Sequence, residues 1–417
     1  MKKGFLSPEF QNHLWMVISS GAFVLVTTLM TLIATRLINL ETAGVVAYAI
    51  ALSNLLVTLI VFNANYYQII DTREEFSFRE YLGFRTITAA LTSLGLLLFL
   101  LVTGHDRTSF AIIVLCFFIY LVDAYGNVFM CDFQQKGMVR FGARTRAFAS
   151  FAAVAAFSLI MFIRQDVISS LALAGVAISI VWIVWVWVKR EHFGAIRVKI
   201  DMSAIKSLIV KVFPIFVPFI ANVYLINAPK YYLEAFVSNE SVAVYAILVL
   251  PGAMFLLLVH TLLFGAALPI TSEMFASGDF GRFLKRIHMQ MLFIAAMAVP
   301  FLAAVYFLAP WFLSLLYGID IYPYRELILL ISTGSVFVTA APVVGMALTI
   351  MRRQKVYMYS LTIPGAVLGA VVFLLVRQYG MDLAVYSNLI IFAPLTVIVY
   401  TVFRIIFLRE TKIKDNT

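Results

Sequence analysis

Twelve apolar blocks separated by short polar segments dominate this sequence and leave few ways to fold it. They fall near 12–38, 43–69, 84–103, 110–131, 147–163, 167–188, 212–234, 242–270, 287–309, 324–350, 357–377 and 382–406. Each is close to the ~20 residues that cross a bilayer core, and the longest leave room for tilt. In hydrocarbon, every backbone N–H and C=O must be satisfied within its own segment or in a closed barrel. Barrel strands alternate apolar and polar residues. These blocks do not alternate, so helices are expected. Composition agrees: 63% of the 417 residues are hydrophobic and 12% are charged, against roughly 45–50% and 25% in a soluble domain. The first block has no small-residue cleavage end and is long enough to span, so it is expected to be the first membrane helix.

Lysine and arginine set the expected orientation. With the N-terminus inside, the segments between blocks place 25 of the 31 basic residues on the inner side. Arg36, Arg107, Arg164, Lys230, Arg325 and Arg377 fall on the outer side. Removing or adding one helix would destroy this alternation, so both termini are predicted to be cytoplasmic. The net charge of +10 is therefore mostly a topology signal, with attraction to anionic headgroups added to it. It does not indicate nucleic acid.

The segment 189–211 divides the chain into an N-terminal lobe (1–190), a basic linker (191–211) and a C-terminal lobe (212–417). Within the linker, Met202, Ile205, Leu208 and Ile209 recur at helical spacing opposite Lys206 and Lys211. This predicts an interfacial amphipathic helix leading into the seventh block, with Asp201 or Ser203 as its cap. The halves echo each other. Arg36, Glu41 and Val45-Val46-Ala47-Tyr48-Ala49-Ile50 match Lys230, Glu240 and Val242-Ala243-Val244-Tyr245-Ala246-Ile247. The expected fold is thus an all-α polytopic membrane protein: about twelve helices in two pseudo-symmetric six-helix lobes around a central cavity.

Several chemistries lack their residues. No P-loop motif is present. The five His are scattered, and Cys116 and Cys131 stand fifteen residues apart on one predicted helix. That is roughly 22 Å along a helix, too far for a disulfide. Neither a metal nor a cofactor is predicted. The segments assigned to the outside are short, which leaves little room for an outward-facing active site.

A charge inside the membrane is costly and needs a reason. Asp123 lies near the middle of the fourth block, with Tyr120 and Asn127 on the same helical face. It is either a cavity or proton-relay group, or a buried acid answered by a Tyr hydroxyl or a neighbouring cation. The seventh block holds Pro214, Pro218, Asn222, Asn227, Pro229 and Lys230. Prolines kink helices, and the amides with Tyr224, Tyr231 and Tyr232 suit sugar hydroxyls and faces. The competing reading is a snorkelling lysine and an interfacial tyrosine belt. Arg36 occupies the matching place in the first block, where two outer cations would attract a phosphate or would merely snorkel. His260 is either a proton-coupling group or a packed one. Arg73, Glu74, Glu75, Arg79 and Glu80 read as a solvated, mutually paired face. A turn around Trp311 is expected within 309–323.

Asn227-Ala228-Pro229-Lys230-Tyr231, preceded by Tyr224 and followed by Glu234, resembles the seventh-helix signature of Wzx-type polysaccharide repeat-unit flippases. These belong to the multidrug/oligosaccharidyl-lipid/polysaccharide (MOP) exporter superfamily. Tyr67-Gln68 with Asp71, Tyr81 and Arg85 is similar to that family's segment joining helices 2 and 3. Residues 127–134 are similar to the end of its fourth helix, which leads into a basic inner loop, and 278–283 to a short polar loop after its eighth helix. The family often carries Arg where this chain has Asn65 and an acid where it has Asn127. Asp123, one turn earlier, is the acid nearest the second position.

The resemblance implies a bacterial cytoplasmic-membrane transporter. It would take an oligosaccharide on undecaprenyl pyrophosphate at the inner leaflet and release it outside, as a precursor of O-antigen, capsule or exopolysaccharide. It implies substrate contacts among Arg36, Asp123, Asn127, Asn222, Tyr224, Asn227, Lys230 and Tyr231. Gln68, Asp71, Arg85 and Pro229 would serve gating, and Asp123 or His260 proton coupling. The bilayer, a polysaccharide polymerase and glycosyltransferases would be partners. The alternatives are a drug/cation antiporter of the same superfamily, a membrane polysaccharide enzyme and a scaffold. An antiporter would be expected to place an acid in helix 1 or 7.

Overall fold

The computed structural model describes residues 8–71, 74–193 and 196–415, and all the regular structure among them is helical. Among the described residues, eleven helices are long and apolar enough to cross a membrane, or twelve when one bent pair counts as a single span. The chain divides into two compact units, Met1–Phe216 and Val217–Thr417.

The first unit contains α1 (Pro8–Leu37), α2 (Leu40–Val61), α3 (Ala64–Ile70), α4 (Phe78–Thr103), α5 (Arg107–Gln135), α6 (Val139–Arg164), α7 (Val167–Val188) and a single turn, α8 (Arg190–Phe193). The unit boundary falls inside α9 (Met202–Phe236). The second unit continues with α10 (Asn239–Leu248), α11 (Leu250–Ala276), α12 (Phe280–Tyr317), a 3₁₀ turn at Tyr322–Tyr324, α13 (Arg325–Ile350), α14 (Gln354–Tyr379), α15 (Met381–Ala384) and α16 (Ser387–Asp415).

The second apolar block is two helices, not one. Phe62 and Asn63 take φ of 50° and 56°, a left-handed conformation uncommon for such residues. Contacts within the unit hold the break. Asn63 Nδ2 donates to Ile215 O at 3.4 Å, and Phe62 stacks on Phe216 with ring centroids 3.7 Å apart. The eighth block is bent by 44° between α10 and α11, with Pro251 opening the second piece.

The amphipathic stretch of the linker is the first part of α9 itself. Asp201 caps it, accepting from Ser203 N at 3.0 Å and Ala204 N at 3.2 Å. Ile205, Leu208 and Val212 pack with Ala64, Phe76, Tyr81, Phe84 and Val128 of the first unit. The expected turn at Trp311 is absent. The apolar helix α12 runs through Pro300 and Pro310 and stops only at Gly318, whose φ of 73° closes its C-terminus. Proline is tolerated in membrane helices where surroundings re-satisfy the freed groups.

Before α9, the segment 196–201 is strapped onto the start of α4. Lys199 N donates to Arg79 O at 3.2 Å, and Lys199 Nζ pairs with Glu80 at 2.7 Å. A Cβ at Gly83 would lie 2.0 Å from Lys199 O, so only glycine admits this approach. Glu75 pairs with Lys211 and accepts from the Tyr67 hydroxyl at 2.6 Å. The Lys211 ammonium, and after it Tyr67, hold the Glu75 carboxyl below the usual carboxylate range. Among the described residues, Glu75 and Glu80 are thus answered from α9 and the strap. Arg73 lies outside the described residues.

Within the first unit, α6 packs on α1 and α7, and α2 on α5. In the second, α13 is the most enclosed helix, set against α16, α12 and α11. Apolar side chains point away from both cores, among them Leu94, Leu98 and Leu101 on α4 and Leu292, Val299 and Phe307 on α12. Such faces suit acyl chains. Both cysteines are buried and free.

Small residues let backbones and rings meet, the usual device for helix packing in lipid. A Cβ at Gly126 on α5 would lie 2.1 Å from the Trp182 ring of α7. Gly126→Ala is therefore expected to destabilise by about 1–3 kcal/mol through overpacking. Adding Trp182→Phe should recover part of the loss, as read by thermal unfolding in detergent.

Candidate functional site

In the first unit, Tyr120, Asp123 and Asn127 share one face of α5. Asp123 is 6% exposed, and Arg146 of α6 grips both of its oxygens. Arg146 Nε donates to Oδ1 at 3.0 Å and Nη2 to Oδ2 at 2.8 Å. This two-pronged geometry is the strongest that a carboxylate and a guanidinium form. The Arg146 guanidinium also lies over the Phe23 ring, 5.0 Å from its centroid. Phe23 in turn meets Tyr120 edge-on at 5.1 Å. Phe23 and Tyr120 line a small apolar pocket with Met30 and Cys116. α1, α5 and α6 are thus joined around one buried ion pair.

Of the two readings open for Asp123, the structure supplies the neighbouring cation. In the sequence Arg146 falls between apolar blocks, because the run 147–163 begins only after it. The helix in fact starts at Val139, which carries Arg146 two turns inward. Asn127 stands apart from this pair; its Oδ1 accepts from the Cys131 thiol at 3.7 Å. Arg36 sits in the last turn of α1, exposed.

Gln68 and Asp71 are structural ties. Gln68 Nε2 donates to Val128 O at 3.1 Å, joining α3 to α5. The Asp71 carboxylate accepts from Glu75 N at 2.9 Å, Phe76 N at 3.0 Å and the Tyr81 hydroxyl at 3.0 Å. The Gln135 amide donates to the Asp71 carbonyl. Arg85 is buried beside these residues in sequence but hydrogen-bonds to neither.

In the second unit, the last four turns of α9 carry a separate polar group. Asn227 is buried and donates Nδ2 to Val223 O at 3.0 Å. That leaves its Oδ1 facing Lys230 Nζ at 3.5 Å, at the outer limit of a hydrogen bond. Lys230 is half-buried and forms no ion pair among the described residues. One turn and more upstream, Asn222 Oδ1 is buried with no partner. Pro229 lacks the N–H that would reach Leu225 O, so the helix is loosened beside Lys230.

Tyr224 stacks on Tyr231, centroids 5.8 Å apart, and its hydroxyl meets that of Tyr232 at 3.0 Å. Tyr232 reaches Gly369 O of α14 at 3.4 Å. Gly365 and Gly369 of α14 also admit Leu225 of α9, a meeting that no sequence spacing announces. His260 stands exposed on α11. The structure thus gathers Asn227 with Lys230 and Tyr224 with Tyr231 in the second unit, and Asp123 with Arg146 in the first.

Solved structures share this architecture. A multidrug-resistance MATE-family transporter of the MOP superfamily, in its inward-facing conformation, aligns with TM-score 0.66 and 12% identity over 96% of this chain and 99% of its own. The eukaryotic MATE transporter AtDTX14 aligns with TM-score 0.65 and 12% identity over 95% of this chain and 94% of its own. The bent form of the Vibrio cholerae MATE transporter VcmN aligns with TM-score 0.59 and 14% identity, over 96% of each chain. The chain therefore has a MATE-like fold. No protein-family model and no curated protein matches the sequence.

Removing one partner of a buried ion pair strands the other charge and costs about 3–5 kcal/mol, whereas replacing both with apolar residues is often neutral. Asp123→Leu and Arg146→Leu are each expected to lower thermal stability sharply. The double substitution should lose much less than their sum in a double-mutant cycle.

Proposed function

We propose that this chain is a flippase of the bacterial cytoplasmic membrane that moves undecaprenyl-pyrophosphate-linked oligosaccharide repeat units outward by alternating access. Both termini would be cytoplasmic; glycosyltransferases would act before it and a polysaccharide polymerase after it. The MATE-like fold supports an exporter as the class. A fold does not name a cargo, so the cargo is argued from side chains.

The observation that carries this reading is Lys230. It is a half-buried ammonium on a proline-loosened apolar helix, held among the described residues by a long contact to Asn227. A charge in that setting needs a counter-charge, and a pyrophosphate supplies one. The surrounding Asn222, Asn227, Tyr224 and Tyr231 offer amides and ring faces to a sugar. Arg36, at the matching end of α1, is the second cation proposed for the cargo. On this reading Pro229 serves as the pivot beside the contact.

A drug/cation antiporter of the same superfamily is the second reading, and the fold suits it equally. The charges favour the first. Residues 12–37 hold no acid, and Glu234 is the one acid of α9, close to the helix end. Asp123 is already neutralised by Arg146. An enzyme would require chemistry on material already outside the membrane, which a flippase only delivers.

In cells that depend on this chain for surface polysaccharide, Lys230→Ala is expected to cut export about tenfold, the scale of one hydrogen bond to a charged group. Lys230→Arg should retain most of it. Equal, near-normal export from both variants would remove the anion contact and with it this reading.

A further inference from the structure

Four cations at one end of the first unit are met by no carboxylate among the described residues. They are Arg140 and Arg144, in the first two turns of α6, and Lys189 and Arg190, just past the end of α7. The Arg144 guanidinium lies over the Trp15 ring of α1, 4.7 Å from its centroid. Lys189 Nζ lies over Phe141 at 5.4 Å, and the Arg190 guanidinium over Trp187 at 4.5 Å. A ring face holds a cation in place without cancelling its charge. Arg190 also donates to Trp187 O at 3.3 Å, again a neutral partner. The acids of this end do not fill the gap. Asp132 pairs with Lys136 at 2.9 Å, and Glu191, next to Arg190 in the chain, stands exposed.

The rings join three helices into one surface. Phe148 of α6 meets Trp15 at 6.5 Å and stacks on Trp185 of α7 at 5.9 Å, and Trp185 meets Phe141 at 5.2 Å. Arg140, Arg144 and Phe148 recur every four residues and so share one side of α6. Both arginines are half-buried. Each buries its Nε without a hydrogen-bond partner, while the equally unbonded Nη nitrogens stay at the surface. Phe148 is 48% exposed and Trp187 62%. The surface is therefore open, and a ligand needs no cavity to reach it. Beyond the cations, α6 and α7 continue as exposed apolar strips, with Phe151 and Leu159 on the first and Ile180 and Ile183 on the second. Tryptophan favours the headgroup level of a bilayer.

We propose that this face of α1, α6 and α7 is the seat of an anionic phospholipid, with its phosphate among the four cations and its acyl chains along the apolar strips. Charge and surface together select the occupant. Cations without a counter-charge at headgroup level attract an anionic lipid. An acidic peptide would answer the cations and leave the strips bare, whereas a lipid covers both. No residue of α9 takes part, so the site stands independently of the cargo proposed above.

The test uses the full-length chain carrying Trp311→Phe, so that its emission comes from Trp15, Trp182, Trp185 and Trp187. The chain is placed in phosphatidylcholine vesicles containing rising fractions of brominated phosphatidylglycerol or, in parallel, of brominated phosphatidylcholine, and quenching is compared at equal mole fraction. The expected result is steeper quenching by the phosphatidylglycerol, a preference of about 25-fold, or about fivefold for each of two basic contacts at a membrane surface. Arg144→Gln and Lys189→Gln should each lower it about fivefold, and together they should remove it. Arg144→Lys should keep most of it. Lys206→Gln, which removes an exposed cation of α9 in the same unit, should leave it unchanged. Should Arg144→Gln not fold, the exposed Lys189→Gln carries the test. Equal quenching by the two lipids before any of these changes overturns the proposal. So does a preference that survives the double variant, or one that Lys206→Gln lowers as far as Lys189→Gln does, which would make the attraction diffuse. A preference erased by inorganic phosphate at constant ionic strength would assign the cations to a free phosphate and overturn the lipid.

Discussion

A charged group in hydrocarbon must find its counter-charge in protein, and the first unit is organised by how Asp123 meets that demand. Arg146 answers it from the next helix, Phe23 covers the guanidinium from α1, and Tyr120 packs against Phe23. One ion pair therefore fixes the mutual rotation of three helices. Buried pairs of this kind add little net stability over well-packed apolar residues. Their contribution is to specify one arrangement, because any rotation that separates the partners strands two charges at once.

The second unit follows the opposite pattern. Its core of Phe283, Ile287, Val344, Val399 and Phe403 is apolar, and the polar groups buried around it, among them Gln290 and Asn388, are uncharged; its cation lies on α9, where Lys230 is left with a long contact to an amide. A closed pair in one unit and an open cation in the other are different physical objects. The first is suited to holding a shape and the second to meeting a ligand. On the function proposed above, only the second feature bears on cargo.

Hydropathy made the architecture legible, since the apolar blocks are long, numerous and free of alternation. The run 167–188 matches α7 at both ends because Asp166 caps it and polar residues follow at once. Elsewhere the helices outrun their apolar stretches. α6 begins with Val139 and draws Arg146 inward, and α9 absorbs an amphipathic segment that composition sets apart. The break at Phe62 and Asn63 has no Gly or Pro to announce it; it is held by Ile215 and Phe216, more than 150 positions away. Asp123 was visible because an acid in mid-block is conspicuous. Its partner was not, because hydropathy says nothing about which helices adjoin. The Tyr and Asn residues of α9 were legible as a group, whereas the tie from Tyr232 to Gly369 required the fold.

The most direct test of the account is transbilayer movement itself. The purified chain would be placed in liposomes with a fluorescent undecaprenyl-pyrophosphate oligosaccharide, and the label accessible from the opposite leaflet would be measured with time. The account predicts movement well above that in protein-free liposomes. Vesicles in which the lipid-linked sugar stays in its leaflet while a small organic cation is carried across would contradict it.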